Sequence, residues 1–249
     1  MRQRLSALKI VFLSLLLISS CSIENQNSNR TIEDIADEIL DATMLRYPST
    51  PTFYSIKNSP HDQLYDNSLN ALKQWQIRED QWLEELDTIG EPKKVGSRDW
   101  VTFGIIYESL AASRDARVCR KELWETSTTT AWYTGLPFIF DIQPLDSANL
   151  KSQALNRLGQ VSHFIDREIE NLTIGLSQGY SSPRITVEAV PSEVRMLLEP
   201  NSPFLLMGER AEDEEFNNQV EGIFNDEVAP AIRRYAQFIE NKYLEQARD

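Results

Sequence analysis

The feature that most restricts the fold is a regular apolar pattern in the second half of the chain. Apolar residues recur at steps of three or four, at Leu150, Ala154, Leu158, Val161, Ile165, Ile169, Leu172 and Leu176. Such steps keep the apolar side chains on one side of a helix, where they can face a partner helix. Gly179 and Pro183 follow, and this pair is typical of a helix end. The pattern therefore predicts one long helix that packs against others.

Further helices are predicted along the rest of the mature chain from the same spacing. They begin near Thr31 with a capping-box-like sequence, near Tyr65, near Trp100 and near residue 213, and the last extends to about residue 247. Pro230 lies within this last helix and should kink or briefly break it. The strand-like runs at 138–140 and 185–187 are too short to build a sheet. We therefore predict an all-α fold, a multi-helix array or bundle with long helices and one proline-kinked C-terminal helix.

The N-terminus has the pattern of a secretory signal peptide. Residues 1–20 contain three basic residues and no acid, with an apolar core at residues 10–18 and Cys21 directly after them. The end of this segment resembles a bacterial lipobox, so Cys21 is predicted to be the lipidated N-terminus, and an ordinary signal peptide is the alternative. Residues 21–30 are predicted to be the lipidated cysteine and a flexible spacer, and residues 31–249 one helical domain. Ser22 after the cysteine favours sorting to the outer membrane.

The charge balance excludes one class of function. The chain has 25 Lys and Arg against 38 Asp and Glu, a formal net charge of −13. Nucleic-acid binding needs a basic face that neutralises phosphates. We therefore expect no nucleic-acid partner.

Few residues suggest catalysis. The two histidines, His61 and His163, do not form the His-Glu-x-x-His pattern of zinc peptidases, and both are expected to be structural or surface residues. With Cys21 lipidated, Cys119 would lack a disulfide partner; we expect it to be a small buried residue rather than a nucleophile. Arg184 could bind a carboxylate or phosphate, although pairing with a nearby acid is the favoured alternative.

Four segments together resemble a known bacterial family. They lie at residues 171–188, with the element Gly-Tyr-Ser-Ser-Pro-Arg at 179–184, and at 117–124, 202–204 and 228–248. Their order and spacing are similar to those of the bacterial domain of unknown function 885 family. The resemblance covers about residues 31–249, and it implies a secreted, largely helical protein similar to gluzincin metallopeptidases.

The resemblance also implies what this chain would lack. Members of the family are about twice as long, and their zinc-binding motif lies in a C-terminal half that has no counterpart here. No catalytic or metal-binding residue can therefore be assigned, and zinc is expected only in the missing half. Tyr180 and Arg184 are possible contributors to a cleft wall.

Two functions remain open at this point. The chain could be a membrane-anchored lipoprotein equivalent to the helical N-terminal half of a zinc-peptidase-like protein, inactive alone and completed by a separate C-terminal-half polypeptide. Alternatively, it could be a non-catalytic envelope protein that binds a ligand or a protein partner. In both cases the lipid anchor would hold it in the cell envelope, facing the periplasm or the exterior.

Overall fold

Helices form the secondary structure of the part of the chain that the computed structural model describes, residues 30–249, apart from one isolated β-bridge between Pro183 and Arg248. The predicted all-α, multi-helix fold class is thus confirmed. Residues 31–249 form one compact unit. The predicted signal peptide at 1–20, Cys21 and all of the predicted spacer except Arg30 lie outside the described residues.

The α-helices, numbered in chain order, are α1 (Ile32–Arg46), α2 (Thr50–Phe53), α3 (Leu69–Ile89), α4 (Arg98–Ala116), α5 (Trp132–Asp141), α6 (Ala148–Gly159), α7 (Val161–Ser177), α8 (Arg184–Val187), α9 (Val190–Met196), α10 (Pro203–Arg210), α11 (Glu214–Ile223), α12 (Ala229–Phe238) and α13 (Leu244–Gln246). Two 3-10 turns (Arg117–Cys119 and Lys121–Leu123) follow α4, and two π-helical segments (Phe224–Val228 and Ile239–Tyr243) separate the last three helices. No helix among the described residues combines the length and the apolar character needed to cross a bilayer.

Helices α1, α3 and α4 share a small core of their own. The first of them begins as predicted, because the Thr31 hydroxyl accepts the Asp34 N–H at 3.1 Å and the Asp34 carboxylate accepts the Thr31 N–H at 2.8 Å. The core consists of Ile32, Ile35, Trp82, Leu83, Leu86, Phe103 and Leu110, all buried. An ion pair between Arg117 and the buried Glu79, 2.9 Å long, fixes the end of α4 to α3.

A larger core unites helices α5 to α12 and the π-helical segments. Its most deeply buried aromatic residues are Phe140, Phe204, Tyr235 and Tyr243. Burial of these large rings removes extensive apolar surface from water, which favours folding.

The predicted long helix between residues 150 and 176 is wrong in one respect, because it is two helices that meet at Gln160. The side chain of Gln160 binds the segment before α3, accepting the Leu64 N–H at 3.0 Å and donating to the Asp62 carbonyl at 2.7 Å. Gly159, a weak helix former, precedes this point. The apolar pattern itself is buried on both sides of the break, at Leu158 and Val161.

The last predicted helix is helical throughout residues 214–246 and is not broken at Pro230; the change near this proline is one of hydrogen-bond register, from π-helical to α-helical. Proline has no N–H for the carbonyl four residues earlier. The π-helical segment Phe224–Val228 lies just before Pro230 and changes the hydrogen-bond register there.

The secondary structure differs from the sequence-based prediction in two further places. The strand-like runs at 138–140 and 185–187 are helical and belong to α5 and α8. The helix predicted from Tyr65 begins at Leu69 instead, because the Ser68 side chain caps it by accepting the Ala71 N–H at 3.1 Å.

Candidate functional site

One cavity is lined by apolar and aromatic side chains together with several polar groups. It has a volume of about 700 Å³, and we call it the Glu168 cleft. It lies among the end of α1, the segment before α3, the segment that leads into α5, and α7. Its lining is Arg46, Tyr47, Ser49, Leu64, Tyr65, Asn67, Leu72, Lys121, Glu122, Glu125, Thr130, Ala131, Trp132, Gly135, Leu136, Ile139, Phe164, Glu168, Asn171 and Leu172.

The floor of the cleft contains a carboxylate held by an amide. The side chain of Asn67 donates to Glu168 Oε1 at 2.6 Å and to the Phe164 carbonyl at 3.0 Å. The side chain of Asn171 in turn donates to the Asn67 carbonyl at 2.8 Å. These three bonds fix the segment before α3 onto α7. The position of the carboxylate is therefore set by two elements that are far apart in the chain.

Glu168 has an unusual electrostatic environment. Glu168 as a whole residue is half-buried, but protein atoms closely surround its carboxylate. The resulting desolvation raises the pKa of Glu168. The hydrogen bond from Asn67 opposes the rise. Within residues 30–249, no Lys, Arg or His side chain forms a salt bridge with Glu168. A carboxylate that is desolvated without a cation is costly unless it is protonated or a ligand supplies the charge.

Aromatic rings form one wall of the cleft. The ring centroid of Tyr65 lies 5.1 Å from that of Phe164 and 5.9 Å from that of Tyr47. The guanidinium of Arg46 lies 5.4 Å from the Tyr47 ring and 5.6 Å from the Tyr65 ring. Burial raises the pKa of the Tyr65 hydroxyl well above its usual range. Tyr65 therefore stays neutral and presents an apolar face with a hydroxyl.

The rim of the cleft carries charges that have partners. Lys121 lies 3.8 Å from Glu125, and Arg120 lies 2.7 Å from Glu122. These pairs are partly exposed, and such pairs contribute little to stability. Within residues 30–249, the carboxylates of Glu122 and Glu125 thus form ion pairs, whereas that of Glu168 forms none.

The segment that leads into α5 is held by buried hydroxyl groups. Thr126 Oγ1 lies 3.0 Å from the Tyr235 hydroxyl, and the Tyr133 hydroxyl donates to the Ser127 carbonyl at 2.6 Å. Trp132, which follows this segment, is buried, and its indole N–H has no acceptor among the described residues. The threonine-rich run at residues 126–130 is thus fixed to α12 through Tyr235.

A second polar cluster is buried beside α6, and it contains one of the two histidines. Arg157 is fully buried, and its guanidinium donates only to neutral acceptors, on Pro48, Thr52, Gln63 and Gln143. His61 Nδ1 lies 2.8 Å from the Thr52 hydroxyl. Burial and the Arg157 charge lower the pKa of His61. This cluster fixes the segment before α3, and His61 is thereby a structural residue.

The described residues do not fit a zinc site. His61 is committed to Thr52 and lies near a guanidinium, whereas His163 is exposed on α7. Among residues 30–249, no group of three His, Cys, Asp or Glu side chains is arranged to hold a metal ion. We therefore derive no step through zinc in this chain.

Other residues singled out from the sequence lie elsewhere. Tyr180 and Arg184 are not among the residues that line the Glu168 cleft, and their predicted role in a cleft wall stays a prediction. Tyr180 lies 6.0 Å from the Arg120 guanidinium, and Arg184 lies 3.7 Å from the Asp249 carboxylate, the acid-pairing alternative. The expectation that Cys119 is buried is wrong, because it is exposed. Cys21 lies outside the described residues.

Sequence reasoning missed Glu168, although the sequence contains a signal for it. Glu168 is four residues after Phe164 and four before Leu172, so it occupies the apolar side of α7. A charged residue in register with an apolar face indicates either a buried ion pair or a binding site. Asn67 had no comparable signal, because it lies in an irregular segment.

Comparison with known proteins places the chain in a family. No curated protein matches it. The family model described as bacterial protein of unknown function (DUF885) matches residues 48–249, which include every element of the Glu168 cleft except α1. The chain therefore belongs to the DUF885 family.

Proposed function

We propose that this chain is a lipid-anchored envelope protein whose helical domain binds a ligand in the Glu168 cleft and does not hydrolyse peptides by itself. The observation that carries the proposal is the cleft, in which aromatic rings lie beside a desolvated carboxylate that forms no ion pair with any residue in 30–249. Pockets for small molecules have volumes of roughly 300–1,000 Å³, apolar walls and a few well-placed polar groups.

The finer part of the proposal concerns the peptidase relationship. The domain would be equivalent to the helical N-terminal half of a zinc-peptidase-like protein, and a separate polypeptide would supply the zinc-binding half. This part rests on the resemblance of four segments and on the poor fit of His61 and His163 to zinc. The cleft would then contribute one wall of a peptide-binding channel.

Blocking the cleft tests ligand binding. Gly135 lines the cleft, and a Cβ atom placed there meets no atom within 4 Å. A Gly135→Phe substitution should therefore fill the cleft without disturbing the backbone. Gly104 on α4 has the same open space and does not line the cleft, so Gly104→Phe is the matched control.

The probe for this test is 2-phenylethanol, a neutral molecule with one aromatic ring. We expect saturable shifts of the Trp132 indole resonance in the natural domain and in Gly104→Phe, and none in Gly135→Phe. Saturable shifts that persist in Gly135→Phe, or their absence from the natural domain, would refute binding in the cleft.

Hydrolysis and anchoring need separate measurements. The purified chain should not cleave a mixed peptide library with or without added zinc, and chelator-sensitive cleavage would overturn the proposal.

For anchoring, we expect the full-length chain to fractionate with membranes and to incorporate labelled fatty acid. Both properties should be lost in Cys21→Ala. Membrane association that survives this change would contradict lipidation at Cys21.

A further inference from the structure

We infer that the Glu168 cleft selects ligands that carry a protonated amine on an apolar or aromatic body. This inference deepens the proposed ligand-binding function and rests on it. It concerns the chemical class of the ligand, which the family does not assign.

The first step is the unused capacity of the Glu168 carboxylate. Among the described residues it accepts one hydrogen bond, from Asn67 at 2.6 Å. A carboxylate has about four acceptor positions on its two oxygens. Glu168 lines the cavity, so a donor in the cleft can reach the remaining positions. An ammonium group supplies three donors together with a positive charge, for which Glu168 has no ion-pair partner among the described residues.

The second step is the charge balance of the lining. Its carboxylates are Glu122, Glu125 and Glu168, and its basic residues are Arg46 and Lys121. Lys121 pairs with Glu125 at the rim, and Arg46 donates to the Asp66 carbonyl while it lies over aromatic rings. Lys121 thus has an acidic partner, whereas Arg46 contacts a carbonyl and two rings and its Nε has no hydrogen-bond partner among the described residues. The lining contains one more carboxylate than basic groups, and Glu168 is the carboxylate that forms no ion pair within residues 30–249. This arrangement favours a cation over an anion.

The third step is the character of the wall. The rings of Tyr47 and Tyr65 already accommodate one organic cation, the Arg46 guanidinium, at 5.4 and 5.6 Å. Aromatic faces attract such cations through their negative potential. Phe164 and Trp132 add further aromatic surface to the lining. The body of the ligand should therefore be apolar or aromatic rather than strongly hydrated.

Three probes of similar size separate charge from shape: 2-phenylethylamine, 2-phenylethanol and phenylacetate. We expect the amine to bind the natural domain at least about tenfold more tightly than the alcohol, because a hydrogen bond to a charged group contributes this much or more. The acetate should bind most weakly. Affinities can be measured by titration of the Trp132 indole resonance.

Glu168→Gln keeps the shape of the floor and removes its charge. In this variant the amine should lose at least about tenfold in affinity, and the alcohol should be almost unaffected. Glu170→Gln, at an exposed position of α7 outside the lining of the cleft, is the control and should change both affinities little. Lowering the pH should weaken amine binding in the natural domain as Glu168 becomes protonated. The other titratable groups that line the cleft are Arg46, Tyr47, Tyr65, Lys121, Glu122 and Glu125.

The outcomes distinguish the two proposals. If none of the probes binds, the proposed function fails together with the inference. If the alcohol or the acetate binds as tightly as the amine, or if Glu168→Gln retains the preference for the amine, the cleft binds ligands but the inference about their charge is wrong.

Discussion

The side-chain amide of Asn67 donates a 2.6 Å hydrogen bond to Oε1 of Glu168, although the two residues are 101 positions apart in the chain. This contact joins the segment before α3 to α7 at the floor of the cleft. It also supplies the one hydrogen bond that the carboxylate accepts from the described residues. The local stability of the fold and the properties of the proposed site therefore depend on the same pair.

The pH dependence of stability should change when Glu168 is replaced by glutamine. Burial raises the pKa of Glu168 in the folded state, so protonation favours folding. Its contribution to the free energy of unfolding is fully present below the unfolded pKa of about 4.3 and is lost as the pH rises through the raised pKa. We expect Glu168→Gln to gain stability relative to the natural chain as the pH rises from about 4.3 toward neutrality.

Urea denaturation at several pH values measures this difference. Glu125→Gln is the control, because its side chain lies at the rim with 37% exposure. A constant stability difference between Glu168→Gln and the natural chain across this range would show that Glu168 is not desolvated as described.

Removal of the buried guanidinium of Arg157 should be strongly destabilising. It donates to acceptors on Pro48, Thr52, Gln63 and Gln143, which would lose this donor without gaining water. We expect Arg157→Ala to lower the free energy of unfolding by about 3 kcal/mol or more. Arg98→Ala is the exposed comparison, with 82% side-chain exposure, and it should change stability by less than about 0.5 kcal/mol. Equal effects in urea denaturation would disprove the role of Arg157.

Gly175 on α7 should tolerate no side chain. A Cβ atom there would lie 1.8 Å from the carbonyl oxygen of Leu123 and 2.7 Å from its carbon. Backbone atoms must move to relieve this overlap, so Gly175→Ala should cost about 3 kcal/mol. Gly104→Ala on α4 meets no atom within 4 Å and should stabilise by about 0.5–1 kcal/mol. Thermal or urea unfolding of both variants tests the contrast, and a neutral Gly175→Ala would contradict the close packing of α7.

The hydroxyl of Tyr243 should be needed for stability, although its ring is already buried. It accepts the buried Ser182 N–H at 2.7 Å and donates to the Trp124 carbonyl at 2.9 Å. Tyr243→Phe leaves the Ser182 N–H unpaired, which should cost about 1–3 kcal/mol. Tyr54→Phe, at a side chain with 68% exposure, should change stability by less than about 0.5 kcal/mol. Hydrogen exchange at the Ser182 amide gives an independent readout, because protection there should fall in Tyr243→Phe alone.

Local patterns explain which predictions succeeded. The capping box at Thr31, the helix end before Gly179 and the irregularity near Pro230 each depend on a few neighbouring residues, so the sequence contains the necessary information. The glycine at 179 has a φ of 80°, a conformation that favours glycine after a helix. The same local reasoning failed at Gln160, where contacts with residues almost a hundred positions earlier interrupt the helix.

The amino-acid sequence alone determined the all-α class, most helix positions and the family, because helical spacing, capping residues and short motifs are local properties of the chain. Only the tertiary structure decided that Asn67 meets Glu168, that Arg157 is buried among neutral acceptors and that Cys119 is exposed. Each of these depends on which helices pack together and at what register. Such contacts arise from many weak packing interactions across the whole domain, and no short stretch of sequence specifies them.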